Sequence, residues 1–152
     1  HPRLIPACAQ RVGAHCVVPP SDAKRVPGSH PPRWTTGTHG ARRGTGRDAV
    51  AWAIEGAALG AGEILLTSID ADGTQAGYDL ELTAAVAAAV PVPVVASGGC
   101  GEVAHMVAAF HSGADAALAA SLYHEQRATV KESKAVLALA GLPVRTGERH
   151  ER

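Results

Sequence analysis

The sequence predicts an α/β fold built on a parallel sheet of four strand–helix units, and three observations support it. Short apolar runs, such as residues 64–66, end in polar loops that carry glycine. A Gly-Ala pair at 13–14, 60–61 and 113–114 follows a predicted helix and precedes a predicted strand. Strands that alternate with helices pair in parallel through right-handed crossovers. Four such units form half of an eight-unit barrel, or a small open sheet.

Length and composition restrict the class of protein. A chain of 152 residues can bury one core, so we expect a single domain over 1–152. Lys and Arg (14) balance Asp and Glu (14), which leaves no general electrostatic case for binding nucleic acid or an anionic membrane. No apolar run reaches the ~20 residues that a membrane-spanning helix needs. Three widely separated cysteines without metal or disulfide spacing favour a cytoplasmic protein.

Residues 1–47 are predicted to be irregular or poorly ordered. A helix ends near residues 9–14, and a strand that starts at 17–18 is interrupted by Pro19 and Pro20. Proline cannot donate to a sheet ladder, so this is the weakest strand. Residues 27–46, rich in Pro, Gly, Thr and Arg, predict a long loop. Because the chain starts at His1 and not at Met, we expect it to be a piece of a longer chain.

Residues 48–145 form the best-defined part of the prediction. Asp48 is a suitable N-cap for a helix that Gly60 ends, and Pro91 and Pro93 stop the next helix. Helices are predicted at 49–59, 80–90, 102–111 and 130–140, and strands at 64–66, 94–96 and 116–119. The charged tail from Thr146 is expected to fray.

Three loops at the carboxyl ends of the predicted strands make a candidate phosphate site. They hold Asp72 with Gly73, Gly98 with Gly99, and Ala120 with Ser121. Small residues leave backbone N–H groups open to an anion, and a helix N-terminus adds partial positive charge. The alternative is a set of tight turns without a ligand. The histidines show no helical metal-binding pair, so no metal site is expected from them.

The chain resembles the cyclase subunit of imidazole glycerol phosphate synthase, a family of histidine biosynthesis. The matching stretches are GAGEILLTSIDADGTQAGYD, VVASGGCG and GADAALAASLYH, with weaker matches in DAKRV, THGARRGTG and DAVAWA. The resemblance implies a TIM (βα)8 barrel, of which this chain is the carboxyl-terminal half. It also implies a reaction in which ammonia from a partner glutaminase cyclises and cleaves a phosphorylated ribulosyl-formimino aminoimidazole carboxamide ribotide. The products are imidazole glycerol phosphate and aminoimidazole carboxamide ribotide. The resemblance implies that this reaction uses no metal and no other cofactor.

The resemblance assigns roles to particular residues. Asp22 matches one of the two catalytic aspartates, whereas the other has no counterpart in this sequence. Glu63 matches a charged residue of the gate through which ammonia enters. The substrate phosphate is assigned to a set of strand-end residues: Asp72, Gly73, Gly99, Ala120 and Ser121. Pro19 and Pro20, where the family has an aliphatic run, are expected to damage the strand and to displace Asp22.

Two alternative functions remain open. The sister isomerase, one step earlier in the pathway, shares the half-barrel pattern and the strand-end glycines. A chain with one of two catalytic carboxylates is also consistent with a phosphate-binding scaffold without turnover. In either case the open edges and apolar inner face of a half-barrel predict self-association.

Overall fold

The computed structural model describes residues 2–38 and 43–145 of the chain. The helices are α1 (Leu4–Val12), α2 (Ala49–Ala58), α3 (Leu80–Ala87), α4 (Val103–His111), α5 (Ser121–His124) and α6 (Val130–Leu139). The strands are β1 (Pro20–Arg25), β2 (Trp34–Thr38), β3 (Arg43–Asp48), β4 (Ile64–Ser68), β5 (Val94–Ser97) and β6 (Ala116–Ala117). The tail from Thr146, predicted to fray, lies outside the described residues.

The six strands form one mixed sheet in the order β3-β2-β1-β4-β5-β6. The four strands β1, β4, β5 and β6 run parallel, and three crossovers join each one to the next. Strands β2 and β3 form an antiparallel hairpin that pairs with the outer edge of β1. The α/β class is therefore confirmed, but the prediction of a purely parallel sheet was wrong because the hairpin extends it on one side.

The hairpin occupies the segment that was predicted to be a loop. Trp34 and Thr36 are buried and alternate with half-exposed residues, as expected for a strand with one covered face. The hydroxyls of Thr36 and Thr45 lie 2.7 Å apart and join the two strands. Bulky and β-branched side chains favour this pleated surface, and the many glycines of the segment concealed that signal.

Pro19 and Pro20 lie at the start of β1 and do not interrupt it. The Leu65 N–H donates to the Pro19 carbonyl (3.3 Å) and the Ile69 N–H to the Ala23 carbonyl (2.9 Å), so the odd-numbered residues of β1 face β4. The missing N–H of Pro20 therefore points to the other side. There, pairing with β2 begins only further along the strand. The expected damage to this strand is absent, because Pro20 lacks its N–H only on the side without a ladder bond and Pro19 precedes the strand.

One face of the parallel strands packs against helices and the other is half-exposed. Ile64, Leu66 and Val94 are buried, together with Leu82 and Val86 of α3. Each such side chain contributes about 1.5–3 kcal/mol of burial free energy. The alternate residues of β4 and β5 form the half-exposed side of the sheet and point away from these helices. Asp22 is the candidate site residue that lies on this second face.

The helix ends follow the predicted capping chemistry. The Asp48 carboxylate accepts hydrogen bonds from the N–H groups of Val50 (3.0 Å) and Ala51 (3.1 Å), which confirms it as the N-cap of α2. An N-cap of this kind is worth about 0.5–2 kcal/mol. Within the described ranges, none of the helices has the length and apolar character needed to cross a membrane.

Candidate functional site

A cavity of about 50 Å³ lies at the carboxyl ends of β5 and β6. This volume exceeds the ~10–15 Å³ that one water needs, so the cavity can hold a small anion. The five residues assigned to the phosphate all line it: Asp72, Gly73, Gly99, Ala120 and Ser121. Five of its other wall residues are Gln75, Ser97, Gly98, Cys100 and Leu118. The structure thus brings together three loops that together span about 50 residues of sequence.

The glycines at this cavity are required by contacts between loops. A Cβ on Gly99 would lie 2.0 Å from the carbonyl oxygen of Gly77, and one on Gly98 would lie 2.7 Å from that of Ser68. Both glycines also have a positive φ, +91° at Gly98 and +98° at Gly99. The Gly77 N–H donates to the Gly99 carbonyl at 2.8 Å. The space left by Gly99 is therefore occupied by the neighbouring loop, whereas the sequence suggested that it admits a phosphate.

Three residues of the cavity wall have unused backbone donors. The N–H groups of Gly73, Gly99 and Ser121 donate no hydrogen bond to the part of the chain that the structure describes. Ser121 is the first residue of α5, where helical N–H groups have no partner within the helix. Three free donors around one small cavity are suited to the oxygens of a phosphate.

Asp72 differs chemically from its neighbours. Its N–H already donates to the Ser68 carbonyl at 2.9 Å, so only its exposed carboxylate faces a ligand. A carboxylate repels phosphate and accepts hydrogen bonds from hydroxyl or amine groups. Asp72 is therefore suited to a group next to the phosphate and not to the phosphate itself.

Cys100 is a neutral part of the cavity wall, and Tyr78 lies behind it. Burial raises the pKa of the Cys100 thiol and also raises the pKa of the Tyr78 hydroxyl. The Tyr78 hydroxyl donates to the Leu118 carbonyl at 2.9 Å. Since the thiolate is the nucleophilic form of cysteine, a protonated Cys100 is unsuited to covalent catalysis.

Asp22 is connected to the cavity by a row of polar side chains. It is registered with Thr67 of β4, and Thr67 is registered with Ser97 of β5, which lines the cavity. Registered neighbours share a face, and with strands ~4.8 Å apart the Cα atoms of Asp22 and Ser97 are roughly 10 Å apart. The Asp22 carboxylate forms no hydrogen bond or ion pair with the described residues. It remains inside β1, between Gly37 and Thr67, so the expected displacement by the prolines does not occur.

Glu63 lies at the opposite edge of the sheet from the cavity. It immediately precedes β4, at the amino ends of the parallel strands, and is half-buried. No ion pair of its carboxylate is found within residues 2–38 and 43–145. The structure therefore separates Glu63 from the cluster formed by the other candidate residues.

Sequence reasoning missed the residues that hold the loop between β4 and α3. Gln75 accepts a hydrogen bond from Arg127 (2.7 Å), and Arg25 and Trp34 contact Asp79 at the end of the loop. These partners lie about 50 residues apart in sequence, and no local pattern joins them.

Comparisons with known proteins agree with this architecture. A family model described as "Histidine biosynthesis protein" matches residues 1–129. The "Imidazole glycerol phosphate synthase subunit HisF" of Frankia casuarinae is 54% identical over 144 residues, which are 95% of this chain and 57% of the relative. The subunit of the same name from Mycobacteroides abscessus is 52% identical over 147 residues, with the same coverage. The chain therefore spans a little over half the length of these curated relatives.

Proposed function

Because the chain belongs to the histidine biosynthesis protein family, we propose that it is the carboxyl-terminal half of an imidazole glycerol phosphate synthase cyclase barrel. Its four parallel strands would be the last four of the TIM (βα)8 barrel. The identity of more than 50% to two subunits of that name favours the cyclase over the sister isomerase. In the complete enzyme, ammonia from a glutaminase would react with the phosphorylated ribulosyl-formimino substrate at this face.

The convergence of three loops on one small cavity carries the proposal. The N–H groups of Gly73, Gly99 and Ser121 bind the substrate phosphate, with Ala120 as part of the wall. Asp72 accepts a hydrogen bond from a hydroxyl next to that phosphate. No cofactor enters this chemistry, since proton transfer by carboxylates is sufficient for a cyclisation of this type.

Asp22 supplies one of the two proton-transfer groups. Its unpaired carboxylate lies on the same face as Ser97, at a distance that a sugar phosphate held in the cavity would span. General acid–base catalysis of this kind contributes typically ~10²–10⁴ in rate. Glu63, at the opposite edge of the sheet, forms part of the gate for ammonia.

A second candidate function is phosphate binding without turnover. It is favoured by the coverage of the relatives, of which the chain spans 57%. The resemblance places the second catalytic aspartate outside this sequence. Both functions require the same phosphate site, so that site is tested first.

Titration calorimetry with inorganic phosphate and with glycerol phosphate tests the site. We expect saturable binding at millimolar or lower concentration, and Ser121→Asp should weaken it at least tenfold by charge repulsion. Val130→Asp is the matched control, because it also places a carboxylate at the first residue of a helix, where it favours the helix dipole. Absence of binding in the unmodified chain, or unchanged binding in Ser121→Asp, would reject the site.

A further inference from the structure

The hairpin and the loop between β4 and α3 are joined by three side chains. The indole N–H of Trp34, in β2, donates to Oδ2 of Asp79 at 3.0 Å. A guanidinium nitrogen of Arg25, in β1, lies 3.5 Å from Oδ1 of the same carboxylate and also binds Glu81. The guanidinium carbon stands 4.9 Å from the centroid of the Trp34 ring. We call Arg25, Trp34 and Asp79 the clamp.

Asp79 is the central residue of the clamp. Its Oδ1 accepts the N–H of Leu82 at 3.0 Å and so caps the first turn of α3. Its side chain is only 11% exposed, and Trp34 is 4% exposed. A carboxylate with three donors in a shielded position is held in one orientation, because a lost partner would leave a buried donor unpaired. The end of the loop is thereby fixed to the hairpin.

Arg25 also holds the beginning of the same loop. Its backbone N–H donates to Oδ2 of Asp70 at 2.7 Å. The main chain of Arg25 therefore contacts one end of the 70–79 segment, and its guanidinium contacts the other end. Two fixed ends restrict the conformations that the middle of a ten-residue segment can adopt.

The middle of this segment forms part of the anion cavity. Asp72, Gly73 and Gln75 line it, and Gly77 contacts Gly99 through the hydrogen bond of 2.8 Å. The clamp itself is absent from the cavity wall. Any effect of the clamp on a bound anion must therefore pass through the loop.

We propose that Arg25, Trp34 and Asp79 are positioning residues of the phosphate site, through which the hairpin keeps the 70–79 loop in its binding conformation. This inference rests on the proposed phosphate site and adds the hairpin to it as a functional element. Anion binding and the clamp are then coupled in both directions, since linkage is reciprocal.

The chain contains a matched control for the clamp. Arg47, at the other strand of the hairpin, lies 5.2 Å from the ring centroid of Trp52 and 2.9 Å from the Glu55 carboxylate. This second Arg–Trp–carboxylate group fastens the hairpin to α2 and has no contact with the 70–79 loop. Loss of a similar contact can thus be compared at two sites of one hairpin.

The first measurement uses Trp34 as a reporter. The chain has two tryptophans, so Trp52→Phe leaves Trp34 as the only one. We expect inorganic phosphate to change the Trp34 emission with the same midpoint that calorimetry gives, although Trp34 does not line the cavity. A purely structural Trp34 would show no saturable change, and that result would overturn the inference.

The second measurement compares variants for phosphate affinity and for hydrogen–deuterium exchange of residues 69–79. Trp34→Phe removes only the indole donor, and Asp79→Asn retains a capping side chain but removes the charge. Each should weaken phosphate binding about threefold to tenfold, the range for one lost hydrogen bond, and accelerate exchange in the loop. Glu55→Gln should change neither quantity.

The outcomes separate the two proposals. If the unmodified chain binds phosphate and both clamp variants bind it equally well, the inference is wrong and the proposed site stands. If the unmodified chain binds no phosphate, the proposed site fails and the inference with it. An equal loss of phosphate affinity in Glu55→Gln would show a general loosening of the hairpin and would also overturn the inference.

Discussion

At the scale of single residues, the candidate site combines backbone donors with one unfavourable charge. Gly73, Gly99 and Ser121 offer unused N–H groups, whereas Asp72 presents a carboxylate to the same cavity. A protein that bound phosphate alone would bind it more tightly without this negative charge. With the phosphate site that we propose, this charge favours a ligand in which a hydroxyl or amine lies beside the phosphate.

Asp72→Asn is therefore expected to strengthen the binding of inorganic phosphate. The gain should be about threefold at low salt and should shrink as salt screens the exposed charge. Binding of glycerol phosphate should gain less, because its hydroxyl loses a charged acceptor. Calorimetry of both ligands measures the two changes.

Glu63→Gln is the control for that experiment. It removes the same charge at the opposite edge of the sheet and should leave both affinities unchanged. Weaker phosphate binding in Asp72→Asn would show that the Asp72 side chain contacts the phosphate directly, against our assignment.

At the scale of secondary structure, helix ends depend on a few charged side chains. Glu132 reaches back to the N-cap of α6, where it accepts the Thr129 N–H (2.7 Å) and the Thr129 hydroxyl (2.8 Å). The hydrogen bond from the Thr129 backbone, followed by that from its side chain, lowers the pKa of Glu132.

This lowered pKa predicts a pH dependence of the α6 N-terminus. In the unfolded chain, Glu132 has the usual glutamate pKa of ~4.3. Its pKa in the folded chain lies below this value. The contribution of Glu132 to stability is therefore complete above pH ~4.3. It is lost as the pH falls through the pKa that Glu132 has in the folded chain. Carbon-13 NMR titration of Glu132 should show the lowered pKa, and Thr129→Val should bring it part of the way back. An ordinary value in the unmodified chain would contradict the capping box.

At the scale of the whole molecule, the sheet is open on one face. The residues that line this face include Asp22, Thr67 and the partly exposed Leu118. A partner half would cover such a surface in a complete barrel. Self-association of this chain over the same surface stays a prediction.

If the chain is the half-barrel that we propose, turnover is expected only when the other half is supplied. The resemblance assigns Asp22 to one of the two catalytic aspartates and places the second outside this sequence, so we predict phosphate binding without ammonia-dependent cyclase activity. Addition of the amino-terminal half of a related cyclase should restore some activity, and Asp22→Asn should abolish the restored part. Formation of imidazole glycerol phosphate measures both. Turnover by the chain alone at the rate of a complete barrel would disprove the half-barrel assignment.

Local patterns in the sequence predicted the helices and parallel strands from Asp48 onwards. Capping side chains, prolines and glycines act within a few residues, so Asp48 and Gly60 could be identified as helix ends from their neighbours. The strand-end loops were found for the same reason, and all five phosphate candidates line one cavity.

Only the tertiary structure decided which distant segments of the chain contact one another. Gly99 is required because the Gly77 carbonyl lies against it, and Pro20 is tolerated because its side of β1 has no ladder bond at that point. The hairpin and its clamp depend on Trp34 meeting Asp79, a contact across 45 residues. Contacts of this kind are selected by packing and register over the whole sheet, and no local sequence pattern specifies them.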